Sequence, residues 1–487
     1  MGLPGMHEIN KLNKTQWSLR LLLIASPWIV LFITTTVIAH QSVFNSVPCW
    51  SDELGYWHEI LSFSRKGFDF GYHSINESIP TYLSFGTHGF GSVSIYALYG
   101  KFFGWNPYSI VISNALFMSL AFLILTALVK ISAKNLLLIV LFCLTYTPLI
   151  LYSSTSMTEL LNFSILIVYV GLLHRYFKQE GNKWPVILLF FCMAISFIRI
   201  IYIILFLPVL FKKVDKFNLK FLITFVLWIV FSGLLFALNT LFVSPYPDSF
   251  LNQLFNSNSF TGFVTEFTTH FVENSWNFIN PVSENIIQVL HRYFLLVVII
   301  ISFIKSNVIQ SRFKNIDVVF FNVFIILFLF VLVNIGAYDV FDWRDYRVLA
   351  PVLFGCLVYL ILNDKIRIFY SLVAFNLAGI LFLCLSPPIV ESFNNGRYTK
   401  PVENPLLNRI EYTSHPVSPF ENTIVVQQYN TNIVLNIPAG IGISYSDELT
   451  DNLKSKYIFS KNRLKLKTYQ LINTNTTGYL YMKISKK

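Results

Sequence analysis

Charge is what this chain is short of. Only 13% of its 487 residues are Asp, Glu, Lys or Arg, against 54% hydrophobic residues and a mean hydropathy of +0.58. Soluble domains carry about 25% charged residues, so the composition argues against a soluble domain and for a bilayer. Cysteine is sparse as well. Cys143, Cys192, Cys356 and Cys384 fall in apolar runs, leaving Cys49 alone and excluding a disulfide framework or a CxxC metal site. His40, His58, His73, His88, His174 and His291 are scattered without HExxH or similar spacing, so no metal is indicated. The chain also lacks GxxxxGKS, GxGxxG and GxSxG elements. Nucleotide-driven transport and lipase-type hydrolysis therefore receive no support, and no cofactor is expected. The net charge of +11 comes from Lys and Arg that punctuate apolar runs without forming a basic face, so nucleic acid is not an expected partner.

Apolar length is what the chain has. A span needs about 20 apolar residues, and runs near that length lie around 21–40, 108–129, 135–152, 157–173, 219–242, 287–304, 317–336, 348–362 and 368–386. These predict an all-α polytopic membrane protein of nine spans. Lys11, Lys14 and Arg20 precede the first run, which lacks a cleavage signature and reads as a retained anchor. A further stretch, 185–211, is too long for one span and is broken by Arg199 and Pro208. The positive-inside rule explains it. With a cytoplasmic N-terminus, the inner loops are those bearing Lys130 and Lys134, then Arg175, Lys178 and Lys183, then Lys305, Arg312 and Lys314, then Lys365 and Arg367. The loop with Lys212, Lys213, Lys216 and Lys220 joins them only if 185–211 enters and leaves on one side, as a re-entrant or short-helix hairpin with Arg199 near its exported tip.

The exported segments are then 41–107, 243–286, a short loop over 337–347, and the tail from 387. The second contains no Lys or Arg but has Asp248, Glu266, Glu273 and Glu284, which supports the orientation. The chain divides into a membrane domain, 1–386, and an extracytoplasmic domain, 387–487. The tail alternates apolar runs, Ile424 to Val426 and Ile433 to Leu435, with Asn and Gln, and predicts a small α/β or β-rich domain.

Candidate chemistry concentrates in the first exported loop, Cys49-Trp50-Ser51-Asp52-Glu53-Leu54-Gly55-Tyr56-Trp57-His58-Glu59, which continues through His73 and His88 to Trp105. One reading is structural: Ser51 caps a short helix, and Asp52 and Glu53 favour its positive end. The other is that Asp52 or Glu53 acts as general base on an acceptor hydroxyl, with Trp57, His58 and His88 among the groups that contact a sugar. Glu159 follows the polar run Ser153 to Thr158 at an exported helix mouth and is either a second acid of the site or a helix-capping acid. Arg199 either snorkels from the hairpin tip or binds a lipid phosphate through its guanidinium. Arg344 and Arg347, three apart in Asp339 to Arg347, either pair with Asp342 and Asp345 or clamp a leaving phosphate.

This layout resembles the GT-C superfamily of polytopic glycosyltransferases. The resemblance is carried by the Asp52-Glu53 pair after the first span, Met157-Thr158-Glu159 at a later exported mouth, and Arg199 inside a short hairpin. Nine spans, a hairpin after the fourth, a large first loop and an exported tail resemble, more narrowly, the phage-type serotype-converting O-antigen glucosyltransferases. The resemblance implies transfer of a sugar, by implication glucose, from undecaprenyl phosphate to lipid-linked O-antigen on the periplasmic side of a bacterial inner membrane. It implies a role for the tail in acceptor choice. Two rivals stand beside it. An O-antigen polymerase or ligase is expected to carry its largest exported loop later in the chain. A transporter or flippase is expected to show two similar halves, and only one broken hairpin is found.

Overall fold

In the computed structural model, the described residues are 14–68, 71–79, 82–83, 85–86, 89–178, 183–211, 219–245, 250, 254, 259–280, 286–306, 317–337, 346–365, 376–377, 379–380, 391, 394–428 and 430–484. Helices form where apolar runs demand that backbone groups bond within one segment, the condition a bilayer imposes. Helix α1 spans Lys14–Phe32, contains Pro27, and continues as a wider turn over Ile33–Ile38. The first loop supplies α2 (Ser51–Lys66), strand β1 (His73–Ile75) and α3 (Phe90–Phe103). Then come α4 (Ser109–Leu128), α5 (Ala133–Thr145), α6 (Thr147–Ser153) and α7 (Glu159–Lys178). Pro148 in the first turn of α6 accompanies a 55° bend between α5 and α6.

Five described helices are long and apolar enough to cross a membrane, and six if the bent α5–α6 pair counts as one span. Helices Ile286–Lys305 and Tyr346–Leu362 also occupy expected spans, the latter as a shorter apolar helix. The expected ninth span, 368–386, lies outside the described residues except at 376–377 and 379–380.

The stretch 185–211 does not form one span. Helix α8 (Lys183–Ser196) ends before Arg199, and a tight 3-10 segment (Ile200–Phe206) runs into α9 (Leu207–Phe211). The two limbs fold back on each other, since Cys192 Sγ meets Leu205 O. Tyr169 of α7 donates to Leu205 O at 2.9 Å, and Tyr202 donates to Asn162 Oδ1 at 2.7 Å, which pins the hairpin to α7. Gly91 of α3 lies against its turn; a Cβ there would sit 2.2 Å from Phe197 O. The hairpin tip therefore has one position, and Arg199 with it.

Interhelical hydrogen bonds hold the apolar bundle where hydrophobicity alone gives no direction. Ser119 Oγ donates to Ile24 O at 2.7 Å, and Ser153 Oγ donates to Thr34 Oγ1 at 2.9 Å. Gly355 lets Tyr346–Leu362 close on α7, since a Cβ there would lie 2.9 Å from Leu166 Cβ.

The tail forms a sheet in the order β1-β3-β2-β4-β6-β5, with β2 (Thr423–Val426), β3 (Gly442–Tyr445), β4 (Tyr457–Ser460), β5 (Tyr469–Asn475) and β6 (Gly478–Lys483). The first four are parallel, and β6 pairs antiparallel with both β4 and β5. Strand β1 belongs to the first loop, so the sheet joins segments that are 350 residues apart and more; His73 pairs with Ile443 and Ile75 with Tyr445. Asn76 and Glu77 follow in left-handed backbone at φ 49° and 56°, strained for side chains of their type. That turn brings the Glu77 carboxylate to the N–H groups of Lys454 and Ser455 and the Ser455 hydroxyl, at 2.6–2.9 Å. Leu54 of α2 enters the apolar core on one face of the sheet with Ile424, Val426 and Ile443. Loop and tail are thus one packed body over the residues described.

Candidate active site

Helix α2 starts at Ser51, with Trp50 as its N-cap in extended backbone. The two acids of its first turn have different surroundings. Glu53 bends back to its own helix start: Oε2 accepts from Cys49 N at 2.8 Å and Trp50 N at 3.2 Å, the return half of a capping box. Its Oε1 accepts from Ser156 N at 3.0 Å and from Arg397 Nη1 at 2.7 Å. Both side chains of that ion pair have 0% exposure, and the Arg397 guanidinium lies 5.0 Å from the Trp50 ring. Burial, with the Glu53 carboxylate adding to it, pushes the nearby Cys49 thiol up to about 12, where it stays protonated.

Asp52 faces the other way, toward the bundle. Its Oδ2 accepts from Arg347 Nη2 at 2.7 Å. Arg347, in the first turn of Tyr346–Leu362, also places Nε 3.7 Å from Glu159 Oε1. Glu159 opens α7, and the same oxygen lies 3.5 Å from Arg199 Nη2. The result is a row, Asp52, Arg347, Glu159, Arg199, drawn from four separate elements. Exposure differs within it: the Glu159 side chain is 1% exposed, Arg199 22%, Arg347 25% and Asp52 31%. The buried acid holds two cations, and the open acid stands at the mouth.

Tyr56, one turn after Asp52, is buried, and its electrostatic neighbours are Asp52, Arg199, Glu159 and Arg347. Burial drives its hydroxyl well above the ordinary phenol range, with Asp52 adding to the effect, so it remains a proton-bearing donor. Behind it, Tyr96 donates to Asn114, whose amide donates to Met157 O at 2.8 Å and so fixes the connection leading into Glu159.

Five of the sequence-predicted residues are thus gathered at one end of the bundle: Asp52, Glu53, Glu159, Arg199 and Arg347. Arg344 and His88 lie outside the described residues. Trp57 and His58 are buried: Trp57 Nε1 donates to Asn106 O at 2.9 Å, and His58 Nε2 pairs with Ile441 O at 2.6 Å. Burial pushes the His58 imidazole down to about 4, so it is neutral and donates to that carbonyl. Sequence reading missed Arg397, Tyr56 and Asn114. Only Tyr56 carried a signal, its i+4 spacing from Asp52. Among the described residues, no group of three or more His, Cys, Asp or Glu is placed to hold a metal.

The sequence matches no protein-family model and no curated protein. Solved structures are similar to it. The archaeal oligosaccharyltransferase AglB from Archaeoglobus fulgidus, in complex with an inhibitory peptide and a dolichol-phosphate, aligns over 92% of this chain and 70% of its own at 12% identity, with a TM-score of 0.51. This chain shares the fold of that oligosaccharyltransferase. ArnT from Cupriavidus metallidurans, bound to undecaprenyl phosphate, aligns over 97% of this chain and 99% of its own at 11% identity, with a TM-score of 0.49. A mostly helical body with several apolar helices and a small C-terminal sheet agrees with the coarse fold class expected from the sequence.

Proposed function

We propose that the chain is a membrane glycosyltransferase of the bacterial inner membrane. It moves a sugar, glucose by its sequence resemblance, from undecaprenyl phosphate to lipid-linked O-antigen or a related surface glycan on the periplasmic side. The N-terminus is cytoplasmic, and the first loop and tail are exported. The observation that carries this reading is the row Asp52, Arg347, Glu159, Arg199, which sets two guanidinium groups beside an open carboxylate at the mouth of an apolar bundle.

The chemistry follows from the residue types. The acceptor hydroxyl oxygen attacks the anomeric carbon in line, and its proton passes to the Asp52 carboxylate. The bond from that carbon to the phosphate oxygen breaks, and its electron pair leaves with the phosphate. Arg347 and Arg199 stabilise the charge that develops there. A guanidinium has five N–H donors in a planar fork, so Arg347 can bind phosphate while it still orients Asp52. Phosphate leaves as an anion, so no separate acid is required. Glu159 holds both arginines from below. Glu53, saturated by three N–H donors and Arg397, positions the first turn of α2 and is not the base. The AglB structure with dolichol-phosphate supports a polyprenyl phosphate as the ligand for this fold.

The test is lipopolysaccharide composition in cells with and without the chain, and with Asp52→Asn at equal membrane levels. An added side-branch sugar that Asp52→Asn abolishes supports the reading. A change in chain length instead would indicate a polymerase, and full activity of Asp52→Asn would remove the assigned base.

A further inference from the structure

The sheet of the tail has a feature that the transfer site does not use. Its three central parallel strands lie in the order β3-β2-β4. The chain leaves β2 to one side for β3, then crosses to the other side for β4. Strand order therefore reverses at β2, and open parallel sheets bind ligands outside the carboxyl ends of their strands at such a reversal. Among the described residues, those ends are uncovered. Strands β2 and β4 are fully buried, whereas Gln428, Asp447, Glu448, Lys461 and Asn462, just beyond the strand ends, are exposed.

The groups at this edge are held in place. Gln427 spans all three strand ends: its amide donates to Asp447 O at 3.1 Å, beyond β3, and its Oε1 accepts from Ser460 Oγ at 3.4 Å, at the end of β4. Tyr445, the last residue of β3, directs its hydroxyl to the Asp447 carboxylate. A tyrosine ring, a carboxylate and an amide in fixed relation can stack on a sugar face and exchange hydrogen bonds with hydroxyls. The charges offset, with Asp447 and Glu448 against Lys461 and Arg463. That composition suits a neutral, hydroxyl-rich ligand better than a phosphate or an acidic one.

Position connects this edge to the reaction. Beyond β2 the chain reaches Thr431, whose hydroxyl donates to Pro48 O at 2.9 Å, in the connection entering α2. The amino ends of the strands lie instead against the far part of α2, where Ser62 Oγ accepts from Gly440 N at 3.0 Å and His58 meets Ile441 O. The carboxyl edge and Asp52 are therefore at the same end of α2. We propose that this edge, built on Gln427, Tyr445 and Asp447, binds the neutral glycan chain of the acceptor and presents it toward Asp52. This rests on the transferase reading above.

The test uses the full-length protein in lipid nanodiscs on an array of neutral and acidic bacterial surface polysaccharides, with undecaprenyl phosphate binding measured on the same samples. The expected result is capture of at least one neutral polysaccharide, weakened at least tenfold by Tyr445→Ala and by Asp447→Ala. Gln470→Ala, on the outer strand β5, should bind as wild type, and undecaprenyl phosphate binding should be equal in all four proteins. Capture of no neutral glycan, capture of acidic glycans alone, or equal capture by the Tyr445 and Asp447 variants would overturn the proposal. Each of those results with undecaprenyl phosphate still bound leaves the transferase reading standing; loss of lipid binding in the wild type counts against that reading instead.

Discussion

Replacing Arg397 with methionine removes the cation from an ion pair whose two side chains are both fully buried. At the 2.7 Å separation of Arg397 Nη1 and Glu53 Oε1, an effective dielectric of about 20 gives an attraction of roughly 6 kcal/mol. Desolvation of the two ions offsets much of that, so the pair contributes little net stability; what matters is the carboxylate left behind. Removing one member of a buried pair costs about 3–5 kcal/mol. Glu53 would keep its bonds from Cys49, Trp50 and Ser156, which places Arg397→Met near the lower end, about 3 kcal/mol. The loss should appear as an earlier midpoint in a denaturant titration of detergent-solubilised protein, followed by the fluorescence of Trp50 and its neighbours. Adding Glu53→Gln should recover part of it, because neither buried charge then remains. An Arg397→Met protein within about 0.5 kcal/mol of wild type, the range of a neutral surface change, would refute this account of Glu53 and return it to candidacy as the base.

Asp52→Asn should leave that midpoint unchanged and lower radiolabelled sugar transfer by about 100- to 10,000-fold, the range for loss of a general base. Glu59 gives a pH signature. Burial pushes its carboxyl up to about 8, partly opposed by the N–H groups of His73 and Gly86. The folded state therefore favours the protonated acid, so its stability contribution is full below the ordinary carboxylate range and is lost as pH rises toward about 8. Unfolding free energies from denaturant titrations should fall across that window by up to roughly 5 kcal/mol, and Glu59→Gln should flatten the fall. Glu77→Gln removes the carboxylate that receives the Lys454 and Ser455 N–H groups. Limited proteolysis should then cut the 447–456 crossover faster than in wild type, with a local loss of about 1.5–3 kcal/mol.

The bundle was legible because apolar length and the spacing of Lys and Arg report directly on what a bilayer tolerates. The expectation of a hairpin over 185–211 with Arg199 near its tip rested on the length of that stretch, its breaks at Arg199 and Pro208, and charge parity. Of the tail's two strand-like runs, Ile424 to Val426 lies in β2, whereas Ile433 and Val434 fall in a short helix, Thr431–Val434, that Asn430 caps through its side chain; the edge strand was not visible, because His73 to Ile75 is three residues long and gains its identity only by pairing with Ile443 to Tyr445. The acid pair shows the limit most sharply. Asp52 and Glu53 are adjacent, and local sequence offered capping or chemistry for both. Helical geometry turns neighbours about 100° apart, so one faces Arg397 in the tail and the other faces Arg347. Those contacts join residues roughly 300 apart or more, and no local spacing encodes them.

The most direct test of the central claim is the position of undecaprenyl phosphate in a cryo-EM map of the wild-type protein in nanodiscs. The account predicts phosphate density within hydrogen-bonding distance, about 3 Å, of the Arg347 and Arg199 guanidinium groups, with Asp52 facing the carbon side of the phosphate. A lipid phosphate bound elsewhere, with Arg347 and Arg199 still committed to Asp52 and Glu159 alone, would contradict it.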